Sequence, residues 1–501
     1  MKHIFATAAL ALCLASPAGA WVEAESENFI LRGDMREGDA ESLLRDLEGY
    51  RANFLRLVGT LGGSERVKVR IHAVASDAEL EALSGRTNVA GVYRTDLDGP
   101  VFLLTTEGGF RQGRGQQRAG SNIRRGARRE SFAARRLTYH EYAHHLMSAY
   151  TDSHYPRWYN EGFAEFLASY SGGKGKFSLG QGTLNQARWL EYGNWIPIRT
   201  VLGAVHDYPF RAGTPAQSAF YAQSWLMVHY LQNTPGMAAR SNGYFAALNR
   251  GEDPLEAFAP AFGMSPEEFE TELKRYFAAA RLNVTSFESP VNPRKMKVRT
   301  RDASDREGAL WTAQAAAEFT RDAGERAVRL DAAEAALGRT ADVLLLRADT
   351  ARDAGEHARA LELAREAHAL APDRFDTLRE LGRAEVEAWQ EASVGSTEAG
   401  RDTLRRALAI DPDDPESSYF LALSYRGAGS GAPDEAVRAA RTALGHYRAL
   451  HFAPANLRLV PMLVAAGEAD TVRPVLEDIS AWAESPRTRA YARDMLARLE
   501  G

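Results

Sequence analysis

Two histidines four residues apart, His140 and His144, with Glu141 directly after the first, are the residues of this chain best spaced to do chemistry together. An α-helix turns about 100° per residue, so the two histidines project from one face, one turn apart, and can converge on a single ion. Glu141 points beside that face, close enough to hold a water at the ion without ligating the ion itself, which is the position of a general base. Sixteen residues after His144 comes Asn160-Glu161-Gly162-Phe163-Ala164-Glu165. A catalytic zinc takes three protein ligands and keeps one position for water, and Glu161 is the candidate third donor. The run Trp158 to Tyr170, stopped by Gly172 and Gly173, predicts an amphipathic helix on which Glu161 and Glu165 share a face. One can ligate while the other orients: Glu165 is spaced to take the second ring N–H of a ligating histidine and fix its tautomer. Two plainer readings compete: an ordinary pair of partly buried histidines, and a zinc that only holds the fold together.

These motifs resemble those of the gluzincin zinc metallopeptidases, most closely the bacterial peptidase-MA-like group usually labelled a domain of unknown function. The likeness continues at Tyr221-Ala222-Gln223-Ser224 and from Gly251-Glu252-Asp253-Pro254 through Ala261-Phe262-Gly263 to Tyr276. It spans roughly Trp21 to Leu282. The resemblance implies an α+β, zincin-like domain in which a small mixed sheet accompanies the active-site helices. It implies Zn2+ held by His140, His144 and Glu161, with Glu141 as the base that hydrolyses peptide bonds. Such enzymes add a tyrosine or histidine donor for the oxyanion, for which Tyr221 is the candidate and His229 the reserve, though an aromatic on a helix also serves as core. The chain lacks the Gly-x-Met-Glu-Asn segment with which related aminopeptidases grip a substrate amine, which argues against trimming from an N-terminus.

Several elements must position this site. Asn28 to Leu31 starts like a strand, and Leu43, Leu44, Leu47, Tyr50, Phe54 and Leu57 follow a helical period. Val67 to Ala75, Ala90 to Tyr93 and Val101 to Thr106 read as strands, the last two split by an Asp98-Gly99-Pro100 turn. By resemblance, Val101 to Thr106 is the edge along which a substrate backbone lies; it can equally be an inner strand. Residues 110–136 hold nine arginines and few apolar residues, a solvated loop or a basic flap over the cleft. The metal-binding helix is predicted from Ser131 to Tyr150, with Leu137, His140, His144 and Met147 on its buried stripe. Ser218 to Leu231, Phe245 to Leu248, Leu255 to Phe262 and Pro266 to Leu282 complete a helical subdomain, and His145, His154 and His206 read as bystanders.

The first twenty residues pair Lys2 and His3 with an apolar run from Ile4 to Ala15 and small residues up to Ala20, a secretory signal peptide cleaved before Trp21. Lipidation at Cys13 is a minor alternative, since Leu12 replaces the small residue such a signal wants. The expected destination is the periplasm or the cell exterior. Cys13 is the single cysteine, so the mature chain can use no thiol as ligand or nucleophile. With 501 residues, 45% hydrophobic and 25% charged, the composition is that of a folded protein of two or three domains. A net charge of −5, or −6 once Lys2 is removed, gives no sign of nucleic-acid binding, and no other apolar run is long enough to cross a membrane.

Residues 283–308, with Pro290, Pro293 and alternating charges, read as a linker between a metallopeptidase-like domain at 21–282 and a helical domain at 309–501. In the latter, Leu344, Ala348, Ala360, Ala364, Ala367 and Pro372 fall at tetratricopeptide spacing. Leu378, Leu381, Gly382, Leu404, Ala407 and Pro412 repeat it with an insertion of about six residues near Val394, and Leu421 to Ala443 repeats it less regularly. An all-α solenoid of about three to five helix pairs is expected, ending in a helix near Arg487 to Leu499. Such repeats commonly bind a partner protein. The expected function is a secreted zinc metallopeptidase acting on peptides or proteins, or on cell-wall peptides. The alternative is a non-catalytic envelope scaffold whose repeats bind a partner and whose zinc is structural.

Overall fold

The computed structural model describes residues 21–59, 65–87, 91–107, 133–151, 154–173, 175–192, 195–205, 210, 214–279, 284–289, 291–426, 432–483 and 485–500. Residues 1–20, read above as a signal peptide, most of the arginine-rich segment 110–136 and His206 lie outside these residues.

Strands β1 (Trp21–Glu25) and β2 (Phe29–Asp34) alternate buried and half-buried residues, the period of a strand with one face in the core. Helix α1 (Glu37–Leu57) buries Leu43, Leu44, Leu47, Tyr50 and Phe54 along one stripe, as its spacing predicts. Then come β3 (Val69–Val74), α2 (Asp77–Ser84), β4 (Gly91–Asp96) and β5 (Gly99–Thr105). Next are α3 (Ala133–Tyr150), α4 (Arg157–Leu167), β6 (Ser171–Gly172), β7 (Lys176–Leu179), α5 (Leu184–Glu191), α6 (Ile198–Gly203) and α7 (Pro215–Asn233). Helices α8 (Met237–Asn249), α9 (Phe258–Phe262) and α10 (Pro266–Ala279) lead to β8 (Thr285–Glu288) and β9 (Arg299–Asp302).

The main sheet has the order β4-β5-β3-β2-β1-β9. Pairs β2/β3 and β3/β5 are parallel, while β4/β5, β1/β2 and β1/β9 are antiparallel, so the sheet is mixed as expected. Val101 to Thr106 is not the edge: β5 lies between β4 and β3, and all seven of its residues are buried. Its near-continuous apolar run is what an inner strand covered on both faces requires. The edge on that side is β4.

Residues 283–308 are not a free linker. β8 pairs with β7 in a small sheet ordered β6-β7-β8, and β9 pairs with β1 in the main one. Both strands carry polar, outward-facing residues, and β9 reads Arg-Thr-Arg-Asp, so neither shows an apolar period. The boundary at 309 also shifts. Helix α11 (Asp305–Phe319) packs Ala315, Ala316 and Phe319 against Val74, Val92, Val101 and Leu103 of the sheet and Leu80 and Leu83 of α2. The opposite face, with Ile71, Phe102 and Leu104, is covered by α1 and α3. Gly308 lies against the Trp21 indole so closely that a methyl group there would overlap the ring.

The remaining helices are α12 (Ala323–Leu337), α13 (Ala341–Asp353), α14 (His357–Leu370), α15 (Phe375–Ala392), α16 (Thr397–Ile410), α17 (Pro415–Leu423), α18 (Asp434–Ala449), α19 (Ala453–Ala465), α20 (Ala469–Trp482) and α21 (Pro486–Glu500). They stack as successive pairs from α11/α12 to α19/α20, closed by α21. The C-terminal part is thus an all-helical stack. Leu344, Ala348, Ala360, Ala364, Ala367, Leu404, Ala407, Ala436, Ala440 and Ala443 are all buried, so the small residues of the repeat pattern are the packing positions between helices. The insertion near Val394 lengthens α15 to 18 residues, against 13 in α13. No helix of the described residues is long and apolar enough to cross a membrane.

Candidate metal centre

Helix α3 carries the histidines and α4 the glutamates. The deepest stripe of α3 is Tyr139, Tyr142, Ala143 and Leu146, while His140 is buried and His144 half-buried on its flank. Leu137 is likewise only half-buried, so the predicted stripe is rotated toward a cleft, leaving a ligand face that solvent can reach. Helix α4 is pinned by Gly162: a methyl group at this position would collide with the Ser224 carbonyl of α7. The glycine of the motif lets two helix backbones touch, and that contact sets where Glu161 points.

Three atoms meet. His140 Nε2 lies 3.2 Å from His144 Nε2 and 3.3 Å from Glu161 Oε2, and His144 Nε2 lies 3.5 Å from Glu161 Oε2. The other ring nitrogens are engaged elsewhere. His144 Nδ1 sits 2.8 Å from Asn160 Oδ1, an acceptor, so the proton belongs on Nδ1 and the lone pair on Nε2. His140 Nδ1 lies 3.3 Å from the acceptor Glu165 Oε1 without the alignment of a hydrogen bond, so Glu165 marks the side of the ring on which its proton is favoured. Two lone pairs and a carboxylate oxygen then point at one another, a convergence that repels unless a cation sits among them. A tetrahedral ion with bonds of about 2.0 Å separates its ligand atoms by about 3.3 Å, so these residues fit a zinc-sized ion. Among the described residues, His140, His144 and Glu161 form the one cluster of three or more such side chains spaced to hold a metal.

A proton competes with the ion for this point. Burial disfavours the His140 imidazolium, but Glu161 and Glu165 outweigh it and hold the ring well above its ordinary pKa, so a bound metal must displace the proton from Nε2. Burial likewise opposes the Glu161 carboxylate, yet the two histidines keep it well below the usual range. Burial raises the pKa of the half-buried Glu165, but Arg136 and His140 outweigh this and hold it down to about 2. Its Oε2 accepts from Arg136 at 2.6 Å and from Gln186 Nε2 at 2.8 Å. Gln186 is itself fixed by a capping box at the start of α5, where Thr183 and Gln186 exchange hydrogen bonds.

Glu141, half-buried, follows His140 on α3, and its charge adds to what raises the pKa of both His140 and Tyr93; β4 packs on this helix, with the Tyr93 hydroxyl 3.2 Å from His145 Nδ1. Helix α7 brings Tyr221 to the other side, its ring edge-on to His140 at 6.4 Å and its hydroxyl accepting from Gln217. His229 on the same helix is buried in the core, with Nδ1 2.8 Å from the Tyr276 hydroxyl and rings of Trp225 and Phe166 around it. His145 turns to the opposite side of α3, stacked on Tyr142 and 3.2 Å from the Tyr93 hydroxyl. His154 stacks on Trp482.

The structure gives roles to three residues that the spacing did not assign. Asn160 orients His144, and Arg136 and Gln186 hold Glu165. Arg136 could have been found, because it lies four residues before His140 on the same helix face. Gln186 could not, since nothing in its spacing ties α5 to α4.

The fold and site define a mixed α+β domain with a three-residue candidate metal centre, joined to a stack of helix pairs. A family model described as "Protein of unknown function (DUF1570)" matches residues 138–245, the stretch that holds both ligand-bearing helices and α7. No curated protein matches the chain. A solved structure described as "MamA MSR-1 C2" is similar at 17% identity, covering 38% of this chain and 95% of that one, with a TM-score of 0.26, too distant to bear on function.

Proposed function

We propose that this chain is a zinc-dependent metallopeptidase, with zinc held by His140, His144 and Glu161. The observation that carries the proposal is the convergence of three ligand atoms, with His144 Nδ1 held by Asn160 and His140 Nδ1 turned toward Glu165. When bound, the ion would supply Lewis-acid polarisation of a carbonyl and a lowered pKa for water. Glu141, flanking that point, takes a proton from the attacking water and delivers it to the leaving amine. Tyr221 faces the site from α7 and donates to the oxygen that gains negative charge. The unpaired side of β4, a strand that packs on α3, offers backbone groups along which an extended peptide can lie. Glu165 and Asn160 keep the two imidazoles aimed. The substrate is a peptide or protein met outside the cytoplasm, following the signal-peptide reading of residues 1–20.

The test is cleavage of a diverse peptide library by the chain from Trp21, with Glu141→Gln beside it. The variant is expected to lose activity by about 10²–10⁴-fold while binding zinc as the unaltered chain does. Equal cleavage by both would remove Glu141 from the mechanism, and no cleavage by either, with zinc bound, would favour a structural role.

A further inference from the structure

The helical stack, of a kind that commonly binds a partner, holds a segment of the chain itself. The turn between β4 and β5, Asp96 to Gly99, reaches into the stack, where the half-buried Leu97 packs on the core of the later helix pairs. The buried Tyr447 of α18 donates its hydroxyl to the Leu97 carbonyl at 3.0 Å. Asp98 is 3.9 Å from Arg379 of α15, and its carbonyl accepts from Arg70 at 2.6 Å. Arg379 is held in turn by Glu416 at 3.2 Å and Asp414 at 3.8 Å, and Arg383 pairs with Glu416 at 2.7 Å. Arg383 and Glu416 are buried while Arg379 and Asp98 are half-buried, and ion pairs so placed add less to stability than to the choice of one register over others. A second hold lies on α11, where the Glu318 carbonyl accepts from Arg94 in the middle of β4.

β4 is an edge strand. Strands at an edge are the ones most free to slip or twist, and this one packs on helix α3 of the candidate centre, with Gly91 beside Leu137 and the Tyr93 hydroxyl 3.2 Å from His145 Nδ1. We infer that the helical stack acts in cis as a clamp on the β4–β5 turn, fixing the edge strand beside the metal centre, with Tyr447 and Arg379 as positioning residues. The partner that the repeats were expected to recruit is, at this face, an acidic turn of the same chain. The part of the inference that concerns substrate rests on the peptidase reading; the clamp itself does not.

Tyr447→Phe in the full chain removes one hydroxyl with little change of shape, and Arg379→Gln removes the charge. Each is expected to speed hydrogen exchange at the amides of residues 91–96 by about tenfold, while the rest of the sheet and the zinc content stay as they were. For a peptide that the unaltered chain cleaves, KM should rise about tenfold with kcat little changed, because the edge and not the reacting groups has been loosened. Exchange that is unchanged, or raised evenly over the whole sheet, overturns the clamp, and a local rise with KM unmoved overturns its bearing on substrate. If the unaltered chain cleaves no peptide, the peptidase reading fails and the exchange result alone decides the clamp.

Discussion

At the scale of single residues, the centre depends on what stands behind the ligands. Asn160 and Glu165 each fix one imidazole through Nδ1, so Asn160→Ala or Glu165→Gln should weaken zinc binding by about 10–100-fold, read by competition with a chelator. Behind α3 lies a buried set that uses no metal. Glu65 accepts from Arg51 at 3.0 Å and from the Tyr142 hydroxyl at 3.3 Å, with His145 at 3.5 Å. Burial raises its pKa, but His145 and Arg51 more than reverse this and hold it at about 2 against an ordinary 4.5. A depressed carboxylate stabilises fully above its unfolded pKa and loses that effect as pH falls toward its folded one. The expected loss is on the order of 2–3 kcal/mol between about pH 4.5 and 2. Melting temperatures over that range should fall less steeply in Glu65→Gln. The two histidines, Glu141 and the glutamates were legible because helical spacing is a rule of one chain segment. The pairing of Glu165 with Gln186 was not, because it joins two segments whose approach only packing decides.

At the scale of elements, the motif's glycine matters as much as its acids. Gly162→Ala would push α4 from α7, and is expected to cost about 1–3 kcal/mol and to disturb Glu161, seen as a lower melting temperature with weaker zinc binding. Helices α1, α3, α4 and α7 were readable from apolar periods, and β2, β3, β4 and β5 from alternation or apolar runs. Strands β8 and β9 were hidden because polar edge strands of four residues leave no period to read. The order of strands was equally hidden: β4 and β5 read alike as short apolar runs, and which lies outermost follows from where β3 pairs.

At the scale of the whole molecule, the two domains read from composition are not separable units. A chain ended after Asp302 would keep every candidate ligand yet bare the sheet face that α11 covers with Ala315, Ala316 and Phe319. It is expected to lose on the order of 3–5 kcal/mol and to aggregate, and extending it through α11 should restore much of that loss, as denaturant unfolding would measure. The helical pairing was legible, but its first helix is shared: Leu310 packs with Leu330 and Val343 of the stack, while Ala315, Ala316 and Phe319 cover the sheet. The change of composition near Gly308 marks where alanine-rich helices begin, and packing draws its boundary elsewhere.

The pairing of β1 with β9 sets a schedule for the chain. Glu23 and Arg301 are 278 positions apart, yet their strands are neighbours and their side chains meet at 2.9 Å. Synthesis adds about 5–20 residues per second, so the first strand waits on the order of 15–60 s before its neighbour exists. Until then β1 has an open side and Trp21 lacks the helix that covers it. The metal centre can be complete in sequence well before the sheet beneath it is closed, which makes closing that sheet a late and non-local step, possible only once Asp302 and the helix after it have been made.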